Sequence, residues 1–217
     1  TVELRPRPIG AGCWDAGCEL LATVEIRCAA RPRFGAGESL AEAVNTDPAW
    51  FEQNLELQQT AAGLWRSVVP LAFRYLWIEA AGAVDVVCRA IFTPERYRGA
   101  FAADPELTRI WQHAAYTLRL CIHHFQIDGI KRDRLPWVGD LALSLLANAY
   151  CFGDPEPVRR TLTVLGRAGI RRGHLNGIID YSLWFVICHD LFQLYFGDRA
   201  FLRRQYRELR ELMGCLL

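Results

Sequence analysis

The hydrophobic period of this chain changes once, from about 2 to about 3.6 residues, and that change calls for two kinds of architecture in one polypeptide. Up to about residue 92, short apolar runs are broken by Gly and Pro. Within Glu19 to Cys28, the residues Val24, Ile26 and Cys28 alternate with Glu25 and Arg27. The run Phe73 to Glu79 is rich in aromatic and β-branched residues, and Ala83 to Phe92 adds Val84, Val86 and Val87. Turn residues such as Arg31-Pro32-Arg33-Phe34-Gly35 separate the runs. This pattern predicts an antiparallel sheet or sandwich. Ser39 to Gln59 carries fewer strand signals and fits a short helix or a long loop.

The helical period begins at Asp104-Pro105-Glu106, an acidic N-cap followed by proline at the first helical position. The helix it opens is predicted to run to about Phe125. A second, almost wholly apolar helix is predicted over Leu141 to Tyr150, with Gly153 just beyond. A third opens at Asp154-Pro155-Glu156 and ends near Gly166 or Gly169. A fourth covers Tyr181 to Phe196 and is closed by Gly197. A fifth, charged and amphipathic, covers Ala200 to Met213. Helices apolar nearly all round belong inside a larger helical assembly. Five of them cannot enclose one another, so exposed apolar faces and a homo-oligomer are expected.

Composition closes off several classes. The 217 residues are 52% hydrophobic and 23% charged, which excludes a disordered chain. With 25 Lys and Arg against 24 Asp and Glu, no basic excess calls for nucleic acid or a membrane surface as partner. Lys131 is the only lysine. No stretch reaches the ~18 apolar residues of a membrane span, and Thr1 to Gly10 does not read as a signal peptide. Cysteines at 13, 18, 28, 88, 121, 151, 188 and 215 form no CxxC pair. They read as buried free thiols of a reducing compartment, so a cytoplasmic location is expected and no metal site or cofactor is called for.

The segment Asp128-Gly129-Ile130-Lys131-Arg132-Asp133-Arg134-Leu135-Pro136-Trp137-Val138-Gly139-Asp140 carries the chemistry. Three carboxylates are interleaved with basic residues and a tryptophan, between two apolar helices. Pro136 and Gly139 argue against a continuous helix through it. Carboxylates accept hydrogen bonds from sugar hydroxyls, and an indole face stacks on a pyranose ring. A carboxyl against aromatic surface can have a raised pKa and act as general acid. The three carboxylates are expected to converge on one concave end of the helical region.

This segment resembles the acidic motif of the α-L-rhamnosidases of glycoside hydrolase family 78, roughly D-x-P-x-R-[E/D]-R-L-x-W-x-G-D, with the same spacing from Asp128 to Asp140. The resemblance spans most of residues 64–217. Phe73 to Glu79 looks like the strand closing the family's sandwich domain. Gly177 to Trp184 and Tyr195-Phe196-Gly197-Asp198 look like its third and fourth barrel helices. The resemblance implies an α+β multidomain chain. Residues 1–92 would be an antiparallel β-sandwich portion and residues 93–217 the first half of an (α/α)6 barrel. It also implies hydrolysis, with inversion, of terminal α-L-rhamnose from rhamnose-containing glycosides. Asp133 would be the general acid; Asp128 and Asp140 would bind rhamnose hydroxyls. Arg132 would order the carboxylates, Trp137 would wall the site, and Asp180 matches an acidic residue of the next loop. Two positions depart from the pattern: Asp133 stands where the family usually has Glu, and Ile130 where it usually has Pro. The family's general base lies farther downstream than Leu217. The alternative is a non-catalytic sugar-binding relative or an inactive fragment, favoured by the shorter Asp133.

Plainer roles stand beside these. Asp140 and Asp180 precede apolar helices and would serve as N-caps worth ~1 kcal/mol each, a role compatible with substrate binding. Asp128 with Lys131 or Arg132 reads as a surface ion pair. Trp137 reads equally as core, and Trp184 as core. Cys121-x-His123-His124 lacks further ligands at metal spacing. His174 is a candidate substrate contact, and His189 reads as a satisfied core histidine. Gly35-Ala36-Gly37 lacks the strand-to-helix context of a phosphate loop.

Overall fold

The computed structural model describes residues 1–47, 49, 52–169 and 173–216. The chain divides into two compact units. The first holds Thr1–Phe92 together with Ile130–Asp133, and the second holds Thr93–Gly129 and Arg134–Leu217.

The first unit is one curled antiparallel sheet of eight strands. These are β1 (Val2–Leu4), β2 (Arg7–Gly10), β3 (Cys13–Arg27), β4 (Arg33–Gly37), β5 (Leu57–Ala61), β6 (Leu64–Ser67), β7 (Leu71–Glu79) and β8 (Asp85–Ala90), with the short helix α1 (Leu40–Ala43) after β4. Strand β3 is long enough to change partners. Its first part pairs with β2 and β7, and its second with β8 and β6. The pairing with β7 is interrupted between Asp15 and Leu20, where Gly17 takes φ +87°. A residue without Cβ tolerates that angle, and the strand bends there. Leu20, Val24, Ile26, Leu71, Phe73, Leu76, Val86 and Cys88 fill the inside of the curl. Among the described residues all eight strands are linked by pairing into a single curled sheet, the first of the two forms, sheet or sandwich, that the strand pattern allowed. Phe73 to Glu79 lies in β7 as expected, but β8 follows it, so it does not close the sheet. Ser39 caps α1 by accepting from the Glu42 N–H, and β5 opens inside the stretch expected to be loop.

Glu19, half-buried on β3, is pushed up to about 7 by burial and by the charges of Glu38 and Glu42, against the pull of Lys131. A carboxyl that binds its proton more tightly when folded stabilises the fold fully below its unfolded value, 4.5 here. That contribution fades as the pH rises through about 7. Glu19→Gln is therefore expected to match the parent at pH 4. At pH 8 it should be more stable by about 1–2 kcal/mol, after discounting for partial exposure. Urea unfolding at the two pH values checks this; equal midpoints at pH 8 would place Glu19 in contact with water.

The second unit is helical: α2 (Pro105–Leu120), α3 (Val138–Cys151), α4 (Pro155–Gly169), α5 (Ile179–Phe196) and α6 (Arg199–Leu216). Asp104 caps α2 by accepting from the N–H groups of Glu106 and Leu107, as its position before Pro105 requires. The helix stops at Leu120, short of Phe125. Residues 122–126 turn back in a tight hairpin bridged between Ile122 and Gln126, and the Gln126 N–H donates to Thr161 Oγ1 at 2.9 Å. Gly197 closes α5 in the left-handed region at φ +68°, as expected of a C-cap glycine. Gly177 to Trp184 thus covers the approach to α5 and its first turns, and Tyr195-Phe196-Gly197-Asp198 spans the end of α5 and the start of α6. Leu145, Leu162, Phe185, Phe192, Phe201 and Leu212 make the main core.

Both α3 and α5 keep an apolar stripe outside that core. Leu143 is 75% and Leu194 72% exposed, with Tyr150, Leu183 and Ile187 also open. Trp184 is exposed rather than in the core. His189 is buried, but only half satisfied: its Nδ1 faces the Phe185 carbonyl at 2.9 Å, and its Nε2 has no partner among the described residues. Burial holds its pKa down at about 4, so the ring is neutral. Among the cysteines, Cys28, Cys88, Cys151 and Cys188 are buried, while Cys18 and Cys215 are exposed, against the expectation for them; all eight are free thiols. No helix among the described residues is long and apolar enough to cross a membrane.

Candidate active site

The acidic motif is a loop with a closed base. The Asp128 N–H donates to the Leu135 carbonyl at 3.1 Å, and the Leu135 N–H donates to Asp128 Oδ1 at 2.9 Å. Two hydrogen bonds across seven residues hold the ends of the loop side by side. Asp128 and Leu135 belong to the helical unit, whereas the tip, Ile130–Asp133, belongs to the sheet unit. Asp133 and Arg134 both take left-handed backbone angles, φ +53° and +54°. Aspartate tolerates that region and arginine does not favour it, so the pair stores on the order of 1–2 kcal/mol that the surroundings must supply.

Within the tip, Ile130 is buried. Lys131 Nζ lies 2.6 Å from Glu42 Oε1 and 3.3 Å from Glu38 Oε2, with Glu52 Oε2 at 3.8 Å. Arg132 is 70% exposed and its guanidinium lies 3.8 Å from Glu52, so its partner is not a carboxylate of the motif. The Asp133 side chain is exposed.

After the loop, Trp137 takes the N-cap position of α3 without making a side-chain cap. Asp140 and Asp180 sit inside the first turns of α3 and α5, so neither is the cap expected of it. Carboxylates there still gain from the positive end of each helix. The capping bond on α3 comes from elsewhere. Asn176, left-handed at φ +53° in the turn Leu175–Gly177, accepts from the Val138 N–H at 3.1 Å. Its Nδ2 donates to the Pro136 carbonyl at 3.2 Å. Asn176 therefore brackets Trp137 from both sides. Asn176→Ala should cost about 1–2 kcal/mol of stability, the range for a lost cap plus a lost partner. Thermal unfolding measures it; an unchanged midpoint would show that α3 starts without this bracket.

Tyr181 brings the rest together. Its ring stands edge-on to Trp137 with centroids 6.2 Å apart. Burial, the charges of Asp140 and Asp180, and a hydrogen bond with Asp140 hold its phenol above the usual range. Gly139 makes this approach possible, since a Cβ there would lie 2.7 Å from Tyr181 Cε1 and 2.9 Å from its hydroxyl. Gly139 is thus inside a helix and is required by packing, where the sequence suggested a helix break. The indole Nε1 of Trp137 is buried with no hydrogen-bond partner among the described residues, an orphaned donor of the kind that costs about 1–3 kcal/mol.

The structure therefore gathers Trp137, Asp140, Asp180 and Tyr181 at the starts of α3 and α5. Asp128 is engaged by the base of its own loop. Asn176 and Tyr181 escaped the sequence reading, although Tyr181 follows Asp180 directly. His174 Nδ1 lies 3.4 Å from Ser182 Oγ. His123 is half-buried with its pKa lowered by burial, and His124 Nδ1 lies 3.4 Å from Arg160.

Residues 98–216, which contain the whole of this cluster and the motif, match the bacterial alpha-L-rhamnosidase 6 hairpin glycosidase domain. The chain belongs to the bacterial α-L-rhamnosidase family. Among solved structures it is similar to a rhamnosidase from Klebsiella oxytoca with rhamnose bound, at TM-score 0.76 and 22% identity over 100% of this chain and 50% of that one. It is also similar to a glycoside hydrolase family 78 rhamnosidase of Bacillus sp. GL1, at TM-score 0.73 and 19% identity over 96% of this chain and 25% of that one. Identities this low bear on the fold alone. The chain spans half the length of the first of these rhamnosidases and a quarter of the second. No curated protein matches it.

Proposed function

We propose that this chain is the acid-bearing part of an inverting α-L-rhamnosidase, acting on terminal α-L-rhamnose of rhamnose-containing glycosides in a reducing, cytoplasmic setting. The observation that carries the reading is the rhamnosidase match over residues 98–216, which includes the motif from Asp128 to Asp140. The structural similarity to an enzyme holding rhamnose supports it.

In this reading Asp133 protonates the departing glycosidic oxygen. Asp128, Asp140 and Asp180 accept hydrogen bonds from the sugar hydroxyls, and Trp137 offers its indole face to the ring; Arg132, which faces Glu52, is given no part in ordering them. Inversion needs a second carboxylate to draw a proton from water on the opposite face. We assign that base to none of the 217 residues here, and place it in the further half of an (α/α)6 barrel whose helices would cover the open stripes of α3 and α5. The non-catalytic alternative keeps the same sugar contacts and differs only at Asp133.

The test has two arms. Saturation-transfer NMR of the 217-residue chain should show binding of L-rhamnose and none of D-galactose. Assayed with an aryl α-L-rhamnoside, the same chain should show no appreciable turnover. Failure to bind rhamnose would remove the sugar site, and robust turnover would put the base among these residues.

A further inference from the structure

Lys131 raises a question that the proposed chemistry leaves open. It is the only lysine in the chain, it sits two residues before the proposed acid, and its side chain is only 20% exposed. A lysine ammonium is strongly hydrated, and on a loop it normally extends into water. Here it is drawn in among three carboxylates. Glu38 precedes α1, Glu42 lies on it and Glu52 follows it, and the nearest contact is 2.6 Å. The neighbouring Ile130 is buried, and the adjacent residues Asp133 and Arg134 hold two consecutive left-handed angles. Such angles persist only where the surroundings over-determine the backbone. A buried isoleucine and a three-carboxylate grip, both within the tip's own unit, are two such restraints, beside the hydrogen bonds that close the base of the loop.

We propose that Lys131 is a positioning residue: the grip of Glu42, Glu38 and Glu52 on its ammonium fixes the backbone of the loop tip, and so fixes where Asp133 presents its carboxyl. This rests on the reading of Asp133 as general acid. Aspartate is one methylene shorter than the family's usual glutamate, so its reach depends more on where the backbone is held. A misplacement near 1 Å can cost on the order of 10²-fold in a proton-transfer step. The charges in the cluster agree. Burial alone would lower the Lys131 pKa, but the hydrogen bond with Glu42 and the charges of Glu38 and Glu42 hold it above its ordinary value. The ammonium is thus charged throughout the neutral range.

The grip is tested in the 217-residue chain and the positioning in an active rhamnosidase that carries it. With one lysine, ε-15N-lysine labelling gives a single side-chain signal. A slowly exchanging ammonium resonance is expected in the parent, lost in Glu42→Gln. Amide exchange of residues 129–135 should quicken roughly tenfold in Lys131→Met and return in Lys131→Arg. In the active enzyme, Lys131→Met should lower kcat on an alkyl rhamnoside by roughly 10–10²-fold. KM, and turnover of a nitrophenyl rhamnoside, should stay within about twofold, because misplacing an acid matters only where protonation is needed. Lys131→Arg should restore most of the loss. Equal losses on both substrates, or unchanged exchange in Lys131→Met, would overturn the proposal. Asp133→Asn is the control that separates the two ideas: if it lacks the leaving-group signature, the acid assignment fails, and the exchange measurement alone decides whether Lys131 holds the loop.

Discussion

In an active rhamnosidase carrying this chain, Asp133→Asn is expected to slow hydrolysis of an alkyl α-L-rhamnoside by roughly 10²–10⁴-fold, the range of a single acid–base contribution. The same change should slow a nitrophenyl rhamnoside far less. An alkoxide leaves badly unless it is protonated, whereas a nitrophenolate departs without full protonation. Asp128→Asn and Asp140→Asn should depress both substrates alike, since hydroxyl contacts that tighten in the transition state act on the sugar and not on the leaving group. The comparison is a ratio of kcat/KM values, so a uniform loss of folded protein cancels. Equal losses on the two substrates for Asp133→Asn would take it out of the acid role and favour the non-catalytic alternative.

What was legible in the sequence was periodic or locally capped. The alternation around Val24 and Ile26 marked β3, the Asp104-Pro105 pair marked the start of α2, and Gly197 marked the end of α5, because each signal acts over a few residues. The acidic motif was legible as a rhamnosidase motif because its residue types stand at one spacing over thirteen positions. What was not legible depended on partners far along the chain. The hairpin that follows the true end of α2 is tied to α4 by a bond from the Gln126 N–H to Thr161. The bracket on Trp137 comes from Asn176, and Tyr181 explains why position 139 is glycine. Lys131 read as a surface charge beside Asp128, and only the fold shows carboxylates from residues 38, 42 and 52 closing on it. Helix α5, apolar all round, read as buried; the described unit leaves one of its faces uncovered, since periodicity reports what a helix can bury and not what is there to cover it.

Gly35 and Gly37 are expected to be among the least replaceable residues of the sheet unit. Neither has a left-handed backbone, so conformational freedom is not the reason. The reason is close approach: α1 lies against β4 with no room for a side chain between them. A Cβ on Gly35 would fall 2.0 Å from the Ala43 carbonyl oxygen. One on Gly37 would fall 2.7 Å from the Ala43 nitrogen and 2.7 Å from Glu42 Cβ. The first obstacle is backbone, which no rotamer change relieves, so the helix itself must move. Gly35→Ala should therefore cost roughly 3 kcal/mol, the upper end for overpacking. Gly129→Ala is the matched control, because no atom of the described residues lies within 4 Å of its Cβ position; it should stay within about 0.5 kcal/mol of the parent. Gly37→Ala carries a second consequence, since it pushes on the residue that binds Lys131 most closely. It should weaken the labelled lysine signal as well as the fold, while Gly35→Ala acts first through Ala43. Denaturant unfolding of the three variants decides the matter. A Gly35→Ala midpoint equal to that of Gly129→Ala would mean that α1 does not pack on β4, and the grip on Lys131 would lose its footing with it.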